Sequence, residues 1–355
     1  MKRIIPILAA SLALCACSAQ QKDFYTLKAG DIEAVITPYG GRIVSIFVPD
    51  RDGTLRDVVL GFDTVGEYHP EKNPTDFGAA IGRYANRIDH GHLEIDGKTY
   101  QLPQNNYGHC LHGGPDGWQY KLYKVVKATD SSLTLLMDSP DGDASFPGHV
   151  KALVTYTLTP ENTIDIRYEA TTDAPTVINM TNHSYFNLHG DGNLPITDHI
   201  LCLNASAYTP VDSTFMTTGE IAPVEGTPFD FRSPKQVGLE IDADNVQIAN
   251  GHGYDHNWVL DTGGDISQVA AVLVCPESGV VLKVYTNEPG IQVYAGNFLD
   301  GTVKGKKGIV YPRRSAICLE SQHYPDTPNK PEWPSAVLRP GETYRSRCIF
   351  AFEIL

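Results

Sequence analysis

Histidines and carboxylates recur in this chain beside amides and aromatic rings, where short apolar runs break off. The run Asn179-Met180-Thr181-Asn182-His183-Ser184-Tyr185-Phe186-Asn187-Leu188-His189-Gly190 is the densest case. Four others are Gly82–Ile88 with Asn86 and Arg87, Leu111-His112-Gly113-Gly114, Gly253–Trp258 with Asp255, and Cys318-Leu319-Glu320-Ser321-Gln322. Taken singly, each has an ordinary reading: His112 as a turn residue, Arg87 as a surface charge, Glu320 as a strand-end carboxylate facing water. Together they supply two histidines, two acids, a guanidinium and amides. Such a set hydrogen-bonds hydroxyls, and imidazole moves protons near neutral pH. Tyr185, Phe186, Trp258, Tyr294 and Phe298 lie close in sequence to these groups. Aromatic faces cover the C–H face of a sugar while polar groups hold its edges, so a pyranose is a reasonable ligand.

The elements that must position these groups are strands. In Thr163–Ala170, Ile164, Ile166, Tyr168 and Ala170 fall on one face and polar groups on the other, the pattern of a half-buried strand. Ala152–Thr159, Leu133–Met137, Val280–Thr286 and Ile291–Ala295 read similarly, and Ser315–Leu319 reads as an apolar strand leading to Glu320. Asp96-Gly97 sits between two short strands at 93–100 and predicts a hairpin; Asp52-Gly53 follows the run 43–48. The 32 glycines and 24 prolines are spread along the chain as turn punctuation. Short helical turns are expected near Asp63–Tyr68 and Pro234–Leu239. Residues 24–355 therefore read as one large all-β domain, antiparallel, of sandwich or barrel type.

The formal net charge of −14 repels phosphate backbones, which argues against a nucleic-acid partner and fits a neutral small molecule. The N-terminus has early positive charge, an apolar run from Ile4 to Leu14, then small residues and cysteines. That is an export signal too short to span a membrane. Leu14-Cys15-Ala16-Cys17 resembles a bacterial lipobox, which implies cleavage after residue 16, lipid on Cys17 and a polar tether to residue 23. The expected location is outside the cytoplasm, periplasmic or at the outer membrane, and Ser18 permits outer-membrane sorting. Membrane contact is expected only through that anchor. Cys110, Cys202, Cys275, Cys318 and Cys348 are widely spaced with no Cys-x-x-Cys pair, which supports no thiolate zinc site and suggests mostly buried small hydrophobes.

The segments GRYANRI (82–88), LHGG (111–114), SPDGDASFPG (139–148), INMTNHSYFNLHG (178–190), YDHNW (254–258), GIQVYAGNFLDG (290–301) and CLESQHYPDTPN (318–329) resemble, in order, those of the aldose 1-epimerase family. The resemblance implies a large antiparallel β-sandwich of the galactose mutarotase-like kind. It implies interconversion of the α and β anomers of free aldohexoses such as galactose and glucose, without metal or cofactor. Glu320 matches the family's base and His183 its acid. His112 matches a second histidine near the reacting end. Asn86, Arg87, Asp255 and Gln292 match sugar-binding groups. After LHGG the chain departs from the family pattern at Pro115–Lys121, which bears on loop shape and sugar preference. A monomer or weak dimer is expected.

The chemistry needs a base at the C1 hydroxyl and an acid at the ring oxygen. Glu320 as carboxylate and His183 as imidazolium would serve, with neighbouring acidic charge raising the His183 pKa. Asn182, Ser184 and Asn187 are candidates to fix the His183 ring, while His189 reads as a solvated turn residue. The rivals are a glycoside hydrolase using Asp255 and Glu320, a non-catalytic sugar binder on the same sandwich, and, as the weakest, a histidine metal site.

Overall fold

A computed structural model describes residues 21–73 and 75–355. The export signal and Cys17 lie outside the described residues. Nearly every element is a strand; Val246–Gly251 is the one α-helix among the described residues. Asn245 caps it, its side chain accepting from the main-chain N–H groups of Gln247 and Ile248.

Two sheets form the body. The larger has nine strands, in spatial order Lys124–Ala128, Ser132–Ser139, Val150–Thr159, Thr163–Thr172, Tyr344–Ile354, Val280–Thr286, Ala271–Val274, Ile200–Leu203 and Lys235–Gln236. All pairings along it are antiparallel. The second has six: Tyr185–Phe186, Ile317–Gln322, Gly290–Tyr294, Asp255–Val259, Ala207–Thr209 and Ala222–Pro223. A four-stranded sheet spans Tyr25 to Asp57. The expected alternation holds: Ile164, Ile166, Tyr168 and Ala170 are buried in a strand that runs Thr163–Thr172. The hairpin at Asp96-Gly97 forms between His92–Ile95 and Lys98–Gln101.

One apolar cluster joins the two large sheets, drawing Ile291, Val293 and Leu319 from the second and Leu282, Phe350 and Phe352 from the first. This is the sandwich, in which inner-face side chains interdigitate. Phe186 meets Phe350 edge-on at 5.0 Å between ring centroids, so the strand beside the candidate site is pinned to the large sheet. Phe350→Ala is expected to lower unfolding free energy by about 3–5 kcal/mol, read as a lower urea midpoint.

Two expectations change. Val65–Tyr68 is a short 3-10 turn as expected, but 234–239 holds the edge strand Lys235–Gln236 instead of a helical turn. A two-residue strand paired with Ile200–Leu201 satisfies the backbone there. Glu320 is not at a strand end facing water: it lies inside Ile317–Gln322, and only 1% of its surface is exposed. The five cysteines are free thiols, with Cys202 alone partly exposed among them.

Candidate active site

Strand alternation builds the floor of the site. In the six-stranded sheet Asn257 pairs with Gln292, and Gln292 with Glu320. Leu319, one position along, belongs to the core, so Glu320 must point the other way. The next row on the same face is Asp255, Tyr294, Cys318 and Tyr185. Asp255, Gln292, Tyr294, Glu320 and Tyr185 all line one cleft.

The second wall comes from strand pairing outside that sheet. Thr181–His183 pairs with Ala79–Ile81, and the Gly78 N–H donates to the His183 carbonyl at 2.9 Å. The imidazole stacks on Tyr185, with centroids 5.0 Å apart, and its edge meets His112 at 5.2 Å. His183 Nε2 lies 3.5 Å from Glu320 Oε1. The sequence puts these two residues far apart, and the fold brings them into contact.

His112 and Asn86 clasp each other. The His112 N–H donates to the Asn86 carbonyl at 3.1 Å, and the Asn86 N–H donates to His112 Nδ1 at 3.1 Å. A ring nitrogen that accepts is unprotonated, so the His112 proton sits on Nε2. The clasp needs an unusual backbone: Asn86 has φ 64° and His112 φ 52°, both left-handed. Gly113 follows at φ +80°, and a Cβ there would meet the Gly82 carbonyl oxygen at 2.4 Å, so only glycine fits. Arg87 is held by Asn106 Oδ1, which accepts from Nε at 3.2 Å and from one terminal nitrogen at 2.9 Å. Its guanidinium lies over Phe215, 4.9 Å from the ring centroid. Gln292 Nε2 donates to Asp255 Oδ1 at 2.7 Å.

All seven residues singled out by sequence, Glu320, His183, His112, Asn86, Arg87, Asp255 and Gln292, line the same cleft. Tyr294 and Phe298 line it as well. Phe186 and Trp258 do not face sugar; they are core residues, fully buried. Asn182 and Asn187 do not touch the His183 ring. Asn182 Nδ2 donates to the Gly78 carbonyl, and Asn187 Nδ2 to those of Leu194 and Ser315, so they satisfy main chain instead. The ring is set by Tyr185. His189 is buried, not a solvated turn residue. Its Nε2 lies 3.0 Å from Asp198 Oδ1 and its Nδ1 3.4 Å from Cys275 Sγ, in a separate pocket. The Cys275 thiol and the Asp198 carboxylate push its pKa up to about 9.

Sequence reasoning missed Asp76, Asn106 and Tyr107 in the cleft wall. Asn106 and Tyr107 sit in a stretch that reads as a polar loop, and Asp76 in one that reads as a turn; Tyr107 beside Gly108 was the available signal.

Burial acts against the charges expected of the pair. Burial drives the His183 pKa down to about 3, with the charge of Arg42 adding to it. Burial also pushes Glu320 well above the carboxylate range, helped by the charges of Asp255 and Asp76 and opposed by Arg87. Burial therefore disfavours the charged form of each, imidazolium at His183 and carboxylate at Glu320. His112 is likewise pushed low by burial, with His183 and Arg87 adding to it.

Comparison with known proteins agrees with this geometry. The sequence profile of the family "Aldose 1-epimerase" matches residues 23–351. Galactose mutarotase of Mus musculus is 43% identical over 330 residues, covering 93% of this chain and 94% of the mouse protein. Aldose 1-epimerase of Escherichia coli K12 is 40% identical over 316 residues, covering 88% and 90%. Among solved structures, the GalM/aldose epimerase homologue from C. elegans superposes with a TM-score of 0.86 at 34% identity, covering 94% of this chain and 99% of that one. This sandwich, matched along nearly its whole length by these relatives, belongs to the aldose 1-epimerase family.

Proposed function

We propose that this protein interconverts the α and β anomers of free aldohexoses, galactose and glucose among them. The observation that carries the reading is the contact between His183 Nε2 and Glu320 Oε1, 3.5 Å apart in the floor of the cleft. A pyranose seated over that pair has its C1 hydroxyl at Glu320 and its ring oxygen at His183. Sugar hydroxyls, with Arg87 nearby, replace the hydration that burial removed and favour the charged arrangement, carboxylate and imidazolium. Glu320 takes the O1 proton while His183 gives one to the ring oxygen, the C1–O5 bond breaks, and the aldehyde forms. The pair is then protonated Glu320 and neutral His183, the arrangement that burial of each group favours. Rotation about C1–C2 presents the other face. Closure returns each proton. Each positioned proton-transfer group contributes about 10²–10⁴-fold.

His112, with its proton on Nε2, donates a hydrogen bond toward the reacting end. Asp255 and Gln292, already bonded to each other, grip hydroxyls from the sheet face, with Asn86 and Arg87 opposite. Asp255→Asn is expected to lower kcat/KM by about ten- to a hundredfold, mostly through KM, since a hydrogen bond to a charged group contributes about 1.5–3 kcal/mol. Initial rates against sugar concentration check it.

The test of the whole reading is polarimetry of freshly dissolved α-galactose and α-glucose. Faster optical drift with the protein, and none from a nitrophenyl glycoside, is the expected result; a sugar binder leaves the drift at its spontaneous rate. In this reading residues 24–355 form the catalytic domain, acting as a monomer or weak dimer. Residues 1–16 direct export, and Cys17 carries the lipid that holds the domain at a periplasmic or outer-membrane surface. No helix among the described residues is long and apolar enough to cross a membrane. Labelling with a radioactive fatty acid, with and without Cys17→Ala, tests the anchor.

A further inference from the structure

Arg87 is the one lysine or arginine that lines the cleft among the described residues. Only 6% of its surface is exposed. Burial lowers its pKa, and the nearby carboxyls of Asp255, Glu320 and Asp212 oppose that. A guanidinium is a planar fork, so what it does for a developing charge depends on where the fork is aimed before the sugar arrives.

A single tight turn supplies half of the hold. The His109 N–H donates to the Asn106 carbonyl at 2.8 Å, and the Asn106 N–H to the His109 carbonyl at 3.2 Å. Tyr107 and Gly108 at the tip have φ 48° and 85°, the pair of positive values that a two-residue hairpin favours. Both ends of this turn reach outward. Asn106 Oδ1 takes Nε and one terminal nitrogen of Arg87, which leaves the other terminal nitrogen for the cleft. His109 reaches a loop far along the chain. The His90 N–H donates to His109 Nδ1 at 3.0 Å, so the ring proton is on Nε2, which donates to Thr214 Oγ1 at 2.9 Å.

That loop carries the other half. The Thr214 hydroxyl donates to Asp212 Oδ1 at 2.6 Å, and the same oxygen accepts the main-chain N–H groups of Thr214 at 2.7 Å and Met216 at 3.2 Å. The chain turns back on itself there and sets Phe215 at φ 64°, 2% exposed. Its ring packs against Tyr107 at 5.3 Å and Phe298 at 5.7 Å between centroids, and those two line the cleft while Phe215 does not. Its face lies 4.9 Å from the Arg87 guanidinium carbon. A ring face attracts a cation, more strongly where water is excluded.

We propose that Phe215 is a positioning residue for the anomer interconversion: docked through Thr214 on the 106–109 turn, its ring face acts with Asn106 to hold the Arg87 guanidinium aimed at the sugar and Glu320. The assignment rests on the reaction proposed above, in which Arg87 helps to favour the Glu320 carboxylate. Phe215 acts only through Arg87.

The test is a double-mutant cycle read as kcat/KM for galactose by polarimetry, with the full chain, Phe215→Leu, Arg87→Gln and the double variant. Leucine fills much of the ring's space and has no π face. In the wild-type background Phe215→Leu should lower kcat/KM by about three- to thirtyfold, the range of a partly desolvated cation–π contact. In the Arg87→Gln background, which keeps Glu320 and His183 and so a measurable rate, the loss should shrink to less than about twofold. A ring that served packing alone would lose the same factor in both. Thr214→Val, which removes the acceptor of the His109 bond at nearly constant shape, should show a smaller loss with the same dependence on Arg87, and carries the test if Phe215→Leu fails to fold. For either variant, an unchanged kcat/KM or an equal fractional loss in both backgrounds overturns the assignment and leaves the reaction standing. A wild type that leaves the optical drift at its spontaneous rate overturns the reaction itself, and this inference with it.

Discussion

Glu320→Gln is expected to fold, to bind aldose, and to lose about 10²–10⁴-fold in kcat. The amide keeps the shape of the carboxyl and its place in Ile317–Gln322, but it cannot accept the C1 hydroxyl proton. KM should change little, because Asp255, Gln292 and Arg87 still grip the ring. The same substitution should make the protein more stable at neutral pH. The Glu320 pKa is raised in the folded state above an unfolded value of about 4.3. Below that pH both states hold the proton and burial carries no penalty. As pH rises toward the folded value, the unfolded chain releases its proton first, and stability is lost. Glutamine removes that loss. Urea midpoints of variant and wild type should therefore differ at pH 7 and converge below about pH 4. A stabilised, inactive variant is the trade expected where a site holds a desolvated charge for chemistry. Wild-type kcat in Glu320→Gln rules out the assigned base.

His183→Asn is expected to lose a similar factor, about 10²–10⁴, again in kcat. Asparagine can still donate a hydrogen bond to the ring oxygen but cannot hand over a proton. The double variant should be little slower than either single one, since acid and base act in one step and their effects do not add. The sign with pH is opposite to that of Glu320. The His183 pKa is lowered to about 3 in the folded protein, against about 6.5 unfolded. Above pH 6.5 both states are neutral there. As pH falls below about 6.5, the unfolded chain takes up a proton that the folded chain refuses, and the wild type loses stability. His183→Asn lacks this loss, so its midpoint should fall less between pH 7 and pH 5. Comparing pH slopes sets aside the pH-independent effect of altered packing against Tyr185.

The sequence by itself determined the material and the pattern. Period-two alternation is a local property of an extended backbone, so the strand Thr163–Thr172 and its buried face could be read from eight residues. Asp96-Gly97 announced its hairpin for the same reason. The seven polar residues were legible because such groups among apolar and aromatic neighbours need a reason to be there. Tertiary structure alone decided three things. It brought His183 and Glu320 to 3.5 Å by pairing strands remote in sequence. It chose which aromatics serve the cleft, sending Tyr185 and Tyr294 to it and Phe186 and Trp258 to the core. It also shifted the pKa of each member of the pair, because desolvation depends on everything packed around a group and not on its neighbours in the chain. Asp76 was invisible for the same reason: an aspartate in a turn becomes part of a site only when the strand after it pairs with the one that carries His183.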